Sequence, residues 1–329
     1  MPVERDLSGL PRPSDGQART DGWRPDPSPR FGPLLVEAWH AEADDDLPNA
    51  VEGARFRHSD AGACSRALAY AALGVPASDP MDPAGHFITR QGTYIHEEFQ
   101  RVIAAHADAI GDNADNEVKV GGGDMGGHID TVYEDCGQLK VTAIEIKSVD
   151  GYPYKLAIGE RGEPGPKWEH VVQCALNAKA RNADEAVLVY YARGAISVQA
   201  QKRRPKLISD MGRVTCEWTM PRDVYEWIAE RETTRVTAIL GLVDDGILPA
   251  RKIPGPPSGM PGMEDPLPAN HLITSPATGT WASFNDDGYV EMSGTTWQCA
   301  YCRWQTTCSS LPADRCPVEL LDGQGQPLA

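Results

Sequence analysis

Gly127–Lys147, GHIDTVYEDCGQLKVTAIEIK, is the stretch from which the fold is read. It divides into two strands joined by a short polar connection. The first closes its GHID run on Asp130, and the second, Val141 to Lys147, ends in Glu145-Ile146-Lys147. Side chains alternate along a strand, so Glu145 and Lys147 share a face with Val141 and Ala143, while Thr142, Ile144 and Ile146 take the other. Two charges on an otherwise apolar strand are costly to bury without a task.

Asp130 and Glu145 on neighbouring strands, with an amine beside them, make a candidate divalent-metal site. Mg²⁺ or Mn²⁺ takes hard oxygen ligands, and the backbone carbonyl of Ile146 is a further donor. Such a metal lowers the pKa of a bound water and neutralises charge on a phosphodiester. Lys147 would orient the water or stabilise the charge that develops. The plainer reading is a salt bridge from Lys147 to Asp130 or Glu145 on a half-exposed strand. The D…ExK pattern alone does not separate the two.

The chain has 329 residues, enough for one large domain or two small ones, and is 41% hydrophobic and 24% charged. No apolar run reaches membrane-spanning length, and the N-terminus shows no apolar signal core, so the expectation is a soluble cytoplasmic protein with no membrane partner. A net charge of −16 argues against a surface that coats DNA generally, and confines phosphate contact to a local groove. Of eight cysteines, three cluster tightly. In a reducing compartment that points to metal rather than disulfides.

Residues 1–50 are Pro/Gly/Asp/Arg-rich and read as a disordered or weakly ordered tail, with a short helix at 33–43. Residues 56–74 enter a helix capped by Ser59 or Asp60, with Cys64 near its start. A lone helical Cys is more often core than ligand. Residues 90–110 form a helix with a stripe of Ile95, Phe99, Val102 and Ile103, flanked by His96. Gln100 stands where a zinc-protease HExxH would need its second His, so that chemistry is excluded and an isolated His96 reads as surface. Gly121-Gly122-Gly123 is a turn, and without a following GK[ST] an NTPase motor is excluded. Residues 149–166 read as a long functional loop. A helix follows at 168–181, with Gln173 among its inward residues. The strand 186–192 is apolar throughout and suits the middle of a sheet. Residues 195–200 pair with it as a hairpin, and 214–220 add a strand. Lys202, Arg203 and Arg204 head the one dense basic cluster, a phosphate-contact patch or a solvated hairpin tip. An amphipathic helix spans 222–243, and 249–296 is a Pro/Gly-rich linker.

Residues 297–308, WQCAYCRWQTTC, place Cys299, Cys302 and Cys308 as C-x2-C-x5-C. Three thiolates do not complete a tetrahedral set. Cys64 is the candidate fourth ligand and Cys316 the reserve, and either structural Zn²⁺ or an iron–sulphur cluster suits such donors.

The ordered set Cys64, His96, Asp130, Glu145-x-Lys147, Gln173, Cys299, Cys302, Cys308 resembles the PD-(D/E)XK nuclease superfamily. It is most similar to the RecB-like iron–sulphur branch, which includes CRISPR-associated adaptation exonucleases and phage exonucleases. The resemblance covers about residues 56–310. It implies an α/β fold, a central mixed sheet flanked by helices, with a 4Fe-4S cluster on Cys64, Cys299, Cys302 and Cys308 joining the N- and C-terminal segments. It implies that His96, Asp130, Glu145 and the Ile146 carbonyl hold Mg²⁺ or Mn²⁺, that Lys147 is catalytic with the two carboxylates, and that Gln173 contacts substrate. The family usually has Tyr four residues after that Gln, where this chain has Asn177. The implied activity is metal-dependent DNA exonuclease action on single strands or ends, with a recombination or CRISPR-adaptation protein as possible partner. The alternative is a non-catalytic iron–sulphur or zinc module that binds DNA or a partner. The implied organisation is a core at 51–248, the linker at 249–296, a cysteine segment at 297–316 and a tail at 317–329.

Overall fold

A computed structural model describes residues 54–81, 83–158, 165–194, 214–254, 289–291, 299 and 302–322. All of them belong to one compact unit, Pro48–Ala329. The expected tail at 1–50, the helix at 33–43, the strand at 195–200, the basic residues Lys202, Arg203 and Arg204 and the interior of the linker lie outside the described residues.

In chain order, strand β1 is Phe56–Arg57, helix α1 Ser65–Ala72, helix α2 Pro83–Ile110, and strands β2, β3 and β4 are Asn113–Gly122, Met125–Asp135 and Lys140–Val149. Helices α3 and α4 follow at Gly151–Ala157 and Trp168–Arg181, then β5 at Glu185–Ala192, β6 at Thr215–Pro221 and α5 at Arg222–Asp244. Short pieces close the chain: β7 Ile247–Leu248, β8 Lys252–Pro254, β9 Tyr289–Glu291, α6 Gln305–Ser309 and β10 Cys316–Pro317.

Six strands form a mixed sheet in the order β1-β3-β4-β5-β6, with β2 also on β3. β2 covers one edge of β3 from Met125 to Glu134. The other edge is shared. β1 pairs with it in parallel at Met125 and Gly126, and β4 antiparallel from Thr131 to Asp135. β5 is an interior strand, parallel to β4 and antiparallel to β6. Its near-continuous apolar run follows from burial between them, with Ala186, Leu188 and Tyr190 almost fully enclosed.

Helix α4 presents Val171, Val172, Ala175, Leu176 and Ala178 to the main core. It ends where Asn182 adopts the left-handed conformation (φ 56°), with Lys179 and Arg181 complementing the negative end of its dipole. Helix α2 is less embedded than its sequence stripe implies: Val102 is 50% exposed, and among its described side chains only Gln100 and Ala107 are buried. The stretch expected as one long loop contains α3, because Pro153 falls in the first turn, where no backbone N–H is required. The linker is anchored at both ends by antiparallel pairing of β8 with β9.

The two ends of the described chain are stapled together. Buried Arg66 donates to the carbonyls of Pro249 (2.6 Å), Pro312 (3.0 Å) and Asp314 (2.6 Å). Trp304 Nε1 donates to Val75 O, and Asp79 accepts from Thr306. A second apolar cluster, with Tyr70, Leu240, Leu248, Leu311 and Cys316, backs this junction.

Candidate active site

The site forms where β3 loses its partner. Between β1 and β4, at Gly127–Asp130, this edge of β3 has no ladder among the described residues. Backbone polar groups at such a gap need other partners. Ile146 N–H donates to the side chain of Asp130, at Oδ2, over 2.6 Å. The Asp130 carbonyl accepts from Gln100 Nε2 (2.9 Å), and the His128 carbonyl from Asn177 Nδ2 (3.0 Å). One step beyond the last register pair, Thr131 with Ile144, sets Asp130 opposite Glu145. Directly opposed residues point to one face, so both carboxylates and Lys147 share it, as the alternation implied.

Glu145 is 1% exposed and Asp130 9%. Glu145 Oε1 pairs with Lys147 Nζ at 2.7 Å, and its Oε2 accepts from Asn177 Nδ2 at 2.8 Å. Lys147 Nζ also donates to Gln173 Oε1 (2.8 Å). His96, from α2, brings Nδ1 to 3.4 Å from Asp130 Oδ1. The structure therefore brings together His96, Asp130, Glu145, Lys147 and Gln173, with Ile146 between the two charged residues of β4.

Helix α4 supplies a polar seam over this face. His170, Gln173 and Asn177 recur at intervals of three and four, so they lie along one side of the helix. His170 Nδ1 meets Tyr190 Oη (2.6 Å), Gln173 holds Lys147, and Asn177 holds Glu145. Asn177 Oδ1 also meets His58 Nδ1 at 2.7 Å. The GHID glycine serves this contact: a Cβ on Gly127 would stand 2.8 Å from His58 Nδ1 and 2.9 Å from Asn177 Oδ1.

The charges are mutually dependent. Burial pushes Glu145 up to about 7, reinforced by the neighbouring Asp130, while Lys147 and Asn177 pull the other way. Burial pulls the Lys147 ammonium down, but Glu145 and Asp130 outweigh it and hold it above its usual value. As placed, His96, Asp130 and Glu145 are not grouped so that all three could hold one ion, but the two carboxylates are hard donors of the kind Mg²⁺ takes, since it keeps several waters and binds through one or two carboxylates.

The second cluster lies at the stapled ends. Cys64, Cys299, Cys302 and Cys308 line one cavity of about 280 Å³, together with Tyr70 and Arg251. Cys64 is the N-cap of α1. Burial pushes Cys302 up to about 11, and the other three thiols add to that; burial likewise raises Cys64, with Cys308 and Cys299 contributing. Cys316 is buried in the second apolar cluster, pairs in β10 with Leu248 and is not part of this lining. Among the described residues no three His, Cys, Asp or Glu side chains are grouped so that they could hold one ion as they stand.

Fold and site thus define a mixed α/β protein with an acidic, lysine-flanked cluster at a strand fork and a four-thiol cavity near its termini. No protein-family model and no curated protein matches the chain. Among solved structures, an alkaline exonuclease from Laribacter hongkongensis aligns at 17% identity over 64% of this chain and 93% of that one, with a TM-score of 0.39. That enzyme in complex with dAMP aligns at 18% identity over 55% and 78%, TM-score 0.36. A phage related exonuclease from Haemophilus somnus 129PT aligns at 13% identity over 64% and 81%, TM-score 0.32. No helix among the described residues is long and apolar enough to cross a membrane.

Asn177, His58 and Gln100 belong to the cluster without having been legible as such. The signal for Asn177 was its spacing of four from Gln173 on a helix that must face the sheet. Burial pushes the His58 imidazole below its usual value, against the opposing pull of Asn177. Below about pH 6.5 the unfolded chain therefore binds the proton more readily, and stability is lost as pH falls. Replacing His58 by Gln removes that loss, which is at most about 1.4 kcal/mol per pH unit. Thermal melts in chelator at pH 7 and pH 5.5 are expected to fall more steeply for the native chain than for the variant.

Proposed function

We propose that this protein is a divalent-metal-dependent DNA exonuclease, acting on single strands or ends. The observation that supports it most is the convergence of Asp130, Glu145 and Lys147 at the fork, with one ammonium serving two enclosed carboxylates. Burying a second like charge costs several kcal/mol unless a cation accompanies it. A divalent ion bound by Asp130 and Glu145, with His96 and the Ile146 carbonyl as further donors, would lower the pKa of water and neutralise the scissile phosphate.

The remaining work falls to the chain. The Ile146 N–H orients Asp130, Asn177 orients Glu145, and Gln173 holds Lys147 against Glu145. Lys147, kept charged by its neighbours, is the donor that orients the attacking water or meets charge developing on the phosphate oxygens. Lys202, Arg203 and Arg204 are the proposed contacts to the DNA backbone, which an acidic protein must concentrate locally. A recombination or CRISPR-adaptation protein is the proposed partner.

Cys64, Cys299, Cys302 and Cys308 are the proposed ligands of a 4Fe-4S cluster that ties the N- and C-terminal segments. Four thiols spread around one cavity support a cluster, where each thiolate takes its own iron, over Zn²⁺, which requires all four at about 2.3 Å from one point. Anaerobically purified protein is expected to be brown, with iron and sulphide near four per chain; a colourless protein carrying one zinc would contradict the cluster.

End-labelled single-stranded DNA is expected to be digested in Mg²⁺ or Mn²⁺ and spared in chelator. Asp130→Asn and Lys147→Ala should each lower the rate by about 10²-fold or more, the scale of losing one electrostatic contributor to the transition state. Unchanged rates in folded variants would contradict the assignment, and DNA binding without cleavage by the native chain would favour the non-catalytic module.

A further inference from the structure

The chain His58–Asn177–Glu145 is buried and hydrogen-bonded throughout, and its polarity is fixed by chemistry. The His128 carbonyl only accepts, and the Glu145 carboxylate accepts from the same side of the amide. The Asn177 nitrogen must therefore face them, at 3.0 and 2.8 Å, spending both its hydrogens. That leaves Asn177 Oδ1 as an acceptor, so the 2.7 Å contact to His58 requires the hydrogen on His58 Nδ1. The relay thus runs in one direction, from an imidazole N–H through an amide to a carboxylate.

Asn177 and His58 are 1% and 3% exposed, so neither is placed to meet a polymer. They come from three elements: His58 lies in a single 3-10 turn at the start of the described chain, Asn177 in α4 and Glu145 in β4. Gly127 lets them approach, since any Cβ there would strike both. A hydrophobic side chain would pack this junction more cheaply than three polar ones. What the polar relay adds is a fixed rotation of the Glu145 carboxylate.

We infer that Asn177 is a positioning residue, held by His58 Nδ1–H, which sets the Glu145 carboxylate for a divalent cation. This rests on the metal-site reading proposed above. Glu145 Oε1 is taken by Lys147 and one lone pair of Oε2 by Asn177, so both oxygens are pinned while lone pairs remain for the ion. Partners of this kind commonly change metal affinity by 10- to 100-fold when removed.

The test is Mn²⁺ binding to the full, anaerobically purified chain, measured by electron paramagnetic resonance of free Mn²⁺, beside single-stranded DNA cleavage across Mn²⁺ concentrations. Asn177→Leu, close in volume, is expected to weaken Mn²⁺ binding about 10-fold or more. The Mn²⁺ needed for half-maximal cleavage should shift by the same factor, with KM for DNA unchanged at saturating Mn²⁺. His58→Leu should shift both in the same direction and serves if Asn177→Leu does not fold. His58→Gln, which keeps an N–H donor, should restore affinity relative to His58→Leu. A merely structural role would lower the melting temperature of these variants and leave Mn²⁺ affinity alone, and that result would overturn the inference. Failure of the native chain itself to bind Mn²⁺ would instead overturn the metal-site reading, which separates the two.

Discussion

Two carboxylates and one ammonium are enclosed where β3 and β4 part, and the local structure is arranged around the resulting imbalance. Glu145 is 1% exposed and pushed up to about 7 by burial. Lys147 answers one charge, and Asp130 remains close enough to raise Glu145 further. Nothing about packing a sheet requires this. Enclosed ion pairs often hold a fold no better than apolar side chains of the same volume, so the cluster is better understood through the chemistry it permits.

The fold supports the imbalance from three directions. The ladder between β3 and β4 stops at Thr131 and Ile144, and the Asp130 side chain takes over the next free N–H. From the edge, α2 contributes Gln100 and His96. Across the face, α4 lays down His170, Gln173 and Asn177 in one seam. The four-thiol cavity sits apart from this, where Arg66 binds three carbonyls of the later chain and Trp304 caps Val75.

Period-two alternation made the shared face of Glu145 and Lys147 legible, because a strand leaves side chains no other choice. The inward face of α4 was legible for the matching reason at period 3.6. Asn177 stood out only as a departure from the resembled family's Tyr, because a lone helical Asn has no period of its own and its partner, Glu145, lies 32 residues away on a strand. His58 was hidden by a 3-10 turn too short to show a pattern. Val102 continued an apolar stripe, but the α2 surface that carries it is not covered, and Val102 stays half exposed. Helix α3 was masked by its Gly and Pro content, which reads as loop unless the proline is recognised as lying in a first turn. Spacing alone could not choose between Cys64 and Cys316; the stapled termini put Cys64 in the thiol cavity and pack Cys316 into the second apolar cluster.

Anomalous diffraction at the manganese edge, from crystals grown in MnCl₂, reaches the core of this account most directly. A single strong manganese peak within ligand distance of both the 130 and the 145 carboxylates is the predicted result. Full occupancy elsewhere, or a well-ordered fork with no peak beside it at millimolar Mn²⁺, would contradict it.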